Sequence, residues 1–319
     1  MHHLLPADQR RSLDELTDRL DLAVGATAAK RSAFWTMLVL SAVIAISGVA
    51  GDSTATVIGA MIVAPLSVPI LGVGLGIVSG NTPLIGRSVL LVVSGVIVVI
   101  ALGFVFAQVL PNPVDVLSNS QVVGRTSPKL MDLTAALATG LVAAVAITRR
   151  DVGDVLPGVA IAISLVPPLG VVGVCLGSGA PALAVGALVL FASNVLAMII
   201  TTTVVLALAG YGHTDHAHRG RAYAVLAVAL LVVAAPMTVN SLSSLWSRQI
   251  ADAAEHWLRE TPGAEVTDVT LQSNTATVSV LGPQQLPPVA DLQRAVDDLV
   301  PWDPDVVVVH TVGQRVGNN

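Results

Sequence analysis

The residues of this chain that could do chemistry are few, and they sit inside apolar sequence. Ala64-Pro65-Leu66-Ser67-Val68-Pro69 interrupts an apolar run from Val57 to Val78, and Ser164-Leu165-Val166-Pro167-Pro168 interrupts another from Leu156 to Leu176. Proline removes a backbone donor and clashes with the preceding turn, so a helix through either run kinks or unwinds. In lipid, unwound backbone is tolerated where it is buried in protein or lines a cavity. Transporters built from inverted repeats use such discontinuous helices to present carbonyls and helix ends to a solute near the midplane. Pro65, Ser67, Pro69, Ser164, Pro167 and Pro168 are therefore the first candidates for binding a small solute or ion. The alternative is a plain kink whose freed groups are satisfied by neighbouring helices.

Two further groups carry polar atoms into apolar surroundings. Ser193 and Asn194 fall near the middle of the run from 181 to 209, where the amide must hydrogen-bond either another helix or a solute. Asp52 and Asp151 head the two proline-interrupted runs. A carboxylate there either caps the first turn and complements the helix dipole or coordinates an ion at the mouth of a site. His213, His216 and His218 lie in a polar loop from Tyr211 to Arg221 with no cysteine or further histidine to complete a ligand set, so neither a metal nor another cofactor is expected. No ionisable residue lies deep in an apolar run, which excludes a proton relay or voltage-sensing array of the usual kind. No nucleophile and base, and no phosphate-cradling loop, stand in a fitting context, so enzyme activity is not expected.

Hydropathy places these residues on membrane helices. Of 319 residues, 54% are hydrophobic and only 12% charged. Mean hydropathy is +0.79. Soluble domains carry about 25% charged residues, so the chain belongs to the membrane class, with the lipid bilayer as its first partner. A net charge of -5 argues against nucleic acid as a partner. The single cysteine, Cys175, lies in an apolar run and forms no internal disulfide. The first 30 residues are polar and lead into further spans, with no cleavable signal peptide.

Seven spans are expected, at about 33 to 51, 54 to 79, 84 to 109, 133 to 148, 155 to 179, 181 to 209 and 222 to 240. They leave Pro111 to Asp132 as the one long loop between them. Residues 1 to 31 form a short lead-in, with Leu13, Leu16, Leu20 and Leu22 on an amphipathic helix expected to lie in the membrane interface. With a cytoplasmic amino terminus, Lys30, Arg31, Arg87, Arg149, Arg150, Arg219 and Arg221 all fall inside and only Arg125 and Lys129 fall in outside loops. Treating the proline-broken segments as re-entrant hairpins worsens that distribution. The expected location is the plasma (inner) membrane, multi-pass.

The two broken runs belong to an internal duplication. An ungapped offset of 99 residues pairs Asp52 with Asp151, Gly59 with Gly158, Leu66 with Leu165, Pro69 with Pro168, Gly74 with Gly173 and Ser94 with Ser193. About 15 of about 54 aligned positions are identical, against about 10% expected for two such apolar segments by chance. Three crossings per copy would place the second copy upside down. The charges agree: Gly51-Asp52 corresponds to Arg150-Asp151, and Arg87 to Gly186.

Residues 241 to 319 change character. Ser241 to Glu260 has helical spacing, Glu265 to Gln272 and Thr275 to Leu281 alternate as a hairpin, Val289 to Val300 marks a second helix and Val306 to Val312 a third strand. This small α+β domain carries 10 acidic and 4 basic residues and, after an odd number of spans, is expected outside the cytoplasm.

Gly59 through Pro69, Pro157 through Ala162 with Leu165 through Leu169, and Ser193-Asn194-Val195 resemble the conserved hydrophobic membrane family known as domain of unknown function 389, over about residues 33 to 210. The resemblance implies the paired proline motifs in a membrane domain and no particular chemistry. Many relatives carry a folded cytoplasmic amino-terminal domain, which a 31-residue lead-in is too short to hold.

The expected fold is an all-α polytopic membrane protein with a small C-terminal α+β domain. It consists of a lead-in (1-31), a transmembrane domain (32-240) holding two inverted three-span repeats (about 33-109 and 133-209) and a further span (222-240), and an external domain (241-319). The expected function is a secondary transporter or channel for a small solute or ion, working as a homo-oligomer. The alternative is a membrane-embedded sensor or scaffold acting through the C-terminal domain.

Overall fold

The computed structural model describes residues 9–109, 115–152, 165–212, 216–272 and 275–313. It forms two compact units, one up to Met237 and one from Thr238.

The first unit opens with α1 (Leu13–Leu20), set by a capping box in which the Ser12 hydroxyl accepts the Glu15 N–H and the Glu15 carboxylate accepts the Ser12 N–H. Its leucines are not laid against lipid. Leu16, Leu20 and Leu22 are buried in the core of the unit, because protein already covers the apolar face that sequence periodicity assigns to an interface. Then follow α2 (Thr27–Ala50), α3 (Thr54–Val63), α4 (Ser67–Ser79) and α5 (Thr82–Val109). The segment expected as one span from 54 to 79 is two helices bent by 48° at Ala64-Pro65-Leu66. The long loop contains a short helix of its own, α6 (Ser120–Thr126), capped by Asn119. After it come α7 (Leu130–Thr148), α8 (Val166–Gly177) and α9 (Pro181–Leu208). Shifting α4 and α5 by 99 residues gives 166–178 and 181–208, the bounds of α8 and α9 to within one residue.

The last helix, α10 (His216–Trp257), merges the span expected at 222 to 240 with the helix expected from Ser241, and carries Pro236 inside. The loop after α9 is correspondingly shorter than expected, and His216 and His218 stand on the helix. Five helices of the described residues are long and apolar enough to cross a membrane, or six with the bent pair taken as one.

Two polar straps hold the ends of the first unit. At one end, the Arg11 backbone N–H donates to the Thr148 carbonyl at 2.9 Å, and its buried guanidinium donates to the carbonyls of Ala146 and Ile147 at 3.1 and 2.7 Å. The Tyr211 hydroxyl donates to the Arg11 carbonyl at 2.5 Å, and Arg10 donates to the Ala209 carbonyl. The same strap reaches the starts of α2 and α5 through Asp18–Lys30 and Asp21–Arg87 ion pairs. The starts of α2 and α5 and the ends of α7 and α9 therefore share one end of the unit. At the other end, the Asn119 side chain donates to the Val49 carbonyl at 2.7 Å and Gln121 to the Thr54 hydroxyl at 2.8 Å. There the Thr126 backbone passes so close over Gly186 that a methyl group would sit 1.7 Å from its carbonyl oxygen.

The second unit is a three-stranded sheet of order β1-β2-β3. Strands β1 (Glu265–Gln272) and β2 (Thr275–Gly282) pair antiparallel, and β3 (Asp305–Val312) lies parallel to β2 after the connecting helix α11 (Val289–Asp297). Ile250 and Ala254 of α10 and Leu258 just after it, with Leu292 and Val296, cover the Ala276, Val278 and Val280 face of β2.

Candidate functional site: the broken helix and its counterpart

Why the chain breaks after Val63 is local. Pro65 has no N–H to offer the Met61 carbonyl, and Pro69 has none to offer the Pro65 carbonyl, which accepts instead from Val68 at 3.2 Å. Ala64 leaves the helix with φ -65° and ψ 121°. One freed group finds a side chain: the buried Ser41 hydroxyl of α2 donates to the Ala60 carbonyl at 3.0 Å. Leu66 packs beside Leu38 and Gly95, which lie near the middle of α2 and α5. The break is thus at mid-depth of its neighbours. Pro65 and Val68 form part of the wall of a cavity of about 370 Å³, whose mouth carries Asp18, Arg19 and Lys30. Ser67, half-buried, is the first residue of α4, and Pro69 is buried two residues on.

In the second half, Pro167 and Pro168 are buried in the first turn of α8, where a missing N–H costs nothing because those groups have no helical partner. They begin a helix. Ser164 and the segment from 153 lie outside the described residues, so the broken run there is described from Leu165 onward. One turn after Val166, Gly170 packs over Ile46 of α2, and its carbonyl lies 2.9 Å from where a methyl group of Gly103 would be. Helix α8 then runs alongside α5 in the same direction: Gly173 meets Ile100 and Gly103, and Gly177 meets Phe104 and Ala107. Helices α4 and α8 therefore both start toward the middle of the unit.

The remaining candidates separate. Ser193 donates to the Leu190 carbonyl of its own helix at 2.7 Å, the ordinary fate of a buried serine in a membrane helix. Asn194 beside it is buried and partnered. Asp52 does not cap the helix that it precedes; Ser53 does, through the Thr56 N–H. Held at φ +48°, Asp52 instead accepts the Ser120 hydroxyl at 2.6 Å and the Gln121 N–H at 3.1 Å, tying α6 to the α2–α3 turn. The Ser120 hydrogen bond holds its carboxyl below the usual carboxylate value. Asp151 forms a two-point ion pair with Arg149, at 2.9 and 2.5 Å, which likewise lowers its pKa. Neither aspartate lies at the Ala64-Pro65-Leu66 break.

Sequence reasoning missed Thr202. It is fully buried in α9, with its side chain against Gly74, and its hydroxyl has no hydrogen-bond partner among the described residues. Thr201 and Thr203 on either side donate to backbone carbonyls of their own helix. The run Thr201-Thr202-Thr203 in an apolar helix was the available signal.

Comparison with known proteins bears on the same region. The chain is 30% identical over 203 residues to an uncharacterized protein of Methanocaldococcus jannaschii, a match covering 62% of each chain. The chain thus spans less than two thirds of that relative's length. No solved structure matches. Residues 61–200, from within α3 to within α9, match the model of the family described as domain of unknown function (DUF389).

Proposed function

We propose that the first unit is a pair of inverted three-span repeats that carries a small solute or ion across the membrane, with its site between the starts of α4 and α8. The observation that carries this reading is the break at Ala64-Pro65-Leu66, which stands at mid-depth of α2 and α5; the cavity that Pro65 and Val68 help to wall lies on its α1 and α2 side. Support for the inversion comes from helix direction. The start of α5 is tied to the strap by Arg87, whereas the end of α9, its counterpart at the 99-residue offset, is tied to the same strap by Ala209 and Tyr211. Support for a full crossing comes from both ends of the broken segment. Gly48 near the end of α2 packs on Val57, and Gly76 near the end of α4 packs on Asn81 and Ile85 at the start of α5.

Arg87 and Arg150 pair with Asp21 and Glu15, and Lys30 with Asp18, so these cations gather at the strapped end and favour a cytoplasmic amino terminus. The C-terminal domain then lies outside. Binding would be through backbone dipoles and hydroxyls, since Ala64 to Pro69 and, among the described residues of the second run, Leu165 to Pro168 hold no ionisable side chain.

The test is flux in reconstituted liposomes, screened over small ions and solutes. Pro65→Ala restores the donor to Met61 and lets α3 run on; it should abolish flux while the protein still unfolds cooperatively. Ser67→Ala should weaken transport without altering the backbone. If both variants transport like the parent, the break is structural only and the reading fails.

A further inference from the structure

A second cavity, of about 360 Å³, opens between the N-terminal halves of α2 and α5 and is lined in part by Asp21, Arg31, Trp35, Arg87, Leu90 and Leu91. Its polar end is cationic. Both Asp21 oxygens are already used, one accepting the Ala23 N–H at 2.9 Å and the other paired with Arg87 at 2.5 Å. The Arg87 side chain is still 42% exposed. Arg31 is exposed and, among the described residues, has neither ion pair nor hydrogen bond. Lys30 beside it is fully committed to Asp18 and the Val24 carbonyl, which makes the contrast specific to Arg31.

Apolar residues continue from the cationic end along the same helix faces. Trp35 lies one turn after Arg31, and Leu90 and Leu91 one turn after Arg87. Leu90 is 68% exposed although it belongs to one of the most apolar helices of the chain. Tryptophan is favoured at the boundary between headgroups and hydrocarbon, and arginines at helix ends reach toward that boundary. A free anion would use the two guanidiniums and leave the apolar tract without a purpose. We propose that this groove binds an anionic phospholipid, its phosphate between Arg31 and Arg87 and an acyl chain along Trp35, Leu90 and Leu91. The inference rests on the membrane placement of α2 and α5 and not on transport, so an absence of flux would leave it standing.

The experiment uses the full chain in a neutral detergent, titrated separately with phosphatidylglycerol, phosphatidylcholine of the same acyl chains and inorganic phosphate, with bound lipid counted by native mass spectrometry and melting temperature followed in parallel. Phosphatidylglycerol should bind preferentially and raise the melting temperature, and inorganic phosphate at the same concentration should not. Arg31→Gln should weaken phosphatidylglycerol binding about fivefold, the effect of one basic residue at a membrane surface, and leave phosphatidylcholine binding unchanged. Equal binding of the two lipids, an equal shift with inorganic phosphate, or an Arg31→Gln protein that binds like the parent would each overturn the proposal. A photoactivatable phosphatidylglycerol reads the site in the unaltered protein, should Arg31→Gln fail to fold. Cross-links to the segments holding Trp35 and Leu90 support it, and cross-links elsewhere alone overturn it.

Discussion

The two halves of the membrane unit place corresponding residues at corresponding crossings but hold them together differently. Gly74 of α4 meets Ile199 and Thr202 of α9; 99 residues on, Gly173 of α8 meets Ile100 and Gly103 of α5, which are the counterparts of Ile199 and Thr202. In the second crossing both partners are glycines, and a methyl group at Gly173 would fall 2.4 Å from the Ile100 carbonyl oxygen and 2.8 Å from the Gly103 Cα. In the first, a side chain fills the gap: a methyl group at Gly74 would meet the Thr202 Cβ and Cγ2 at 2.8 Å. One crossing is backbone on backbone, the close approach that small residues permit in membranes. The other is backbone on side chain, and it leaves a hydroxyl buried without a partner among the described residues. The outermost aspartates diverge in the same manner, since Asp52 is held by neutral donors and Asp151 by an arginine. Segments related by the 99-residue offset therefore cross their neighbours at matching positions while the chemistry of each contact differs.

The largest effect expected from this difference is at the backbone crossing. Gly173→Ala forces α8 and α5 apart, since no side chain there can move aside, and should cost about 3 kcal/mol or prevent folding. Gly74→Ala meets a threonine side chain and should cost about 1 kcal/mol. Thermal unfolding in detergent compares them. Equal losses would mean that both crossings are equally rigid and that the contrast drawn from distances is false.

Next in size are the neighbouring threonines. Thr203→Val removes a hydroxyl that donates to the Ile199 carbonyl at 2.6 Å and should cost about 1 kcal/mol. Thr202→Val keeps the shape, removes a buried hydroxyl with no partner among the described residues and should be neutral or slightly stabilising. A Thr202→Val protein less stable than Thr203→Val would show that the Thr202 hydroxyl has a partner in the membrane. Loss of flux without loss of stability would point to a solute contact.

Much of the architecture was legible in the sequence, because prolines in apolar runs and period-two alternation are local signals. The break at Pro65 and the strand Glu265–Gln272 emerge where local chemistry puts them. What was not legible depends on distant partners. Leu16 and Leu20 look amphipathic in isolation, and only the packing of other helices decides whether lipid or protein covers them. Asp52 reads as a cap for the helix beside it, but Ser53 is one residue nearer the first turn, and the carboxylate is left for α6. Thr202 was passed over because a threonine in a membrane helix normally bonds its own backbone, as Thr201 and Thr203 do.

The smallest expected effect sharpens the comparison of the two aspartates. Both carboxyls are held below their ordinary value in the folded protein, Asp52 first by the Ser120 hydroxyl and Asp151 first by Arg149. A carboxyl whose folded pKa is depressed stabilises the fold above its unfolded pKa, and that contribution disappears as pH falls through the folded value. Each should therefore add to the acid limb of the stability profile, below the ordinary carboxylate range, and Asp52→Asn or Asp151→Asn should each flatten part of that limb. Salt separates them. At 1 M the screening length is about 3 Å, so the Coulombic part of an exposed ion pair is largely lost. The contribution of Asp151 should shrink at high salt and that of Asp52, which accepts from a hydroxyl and a backbone N–H, should persist. Unfolding followed from pH 2.5 to 6 in low and high salt, for the parent and both asparagine variants, measures this. Should the Asp52 contribution vanish with salt and the Asp151 contribution remain, the assignment of neutral and charged partners to the two turns would be reversed.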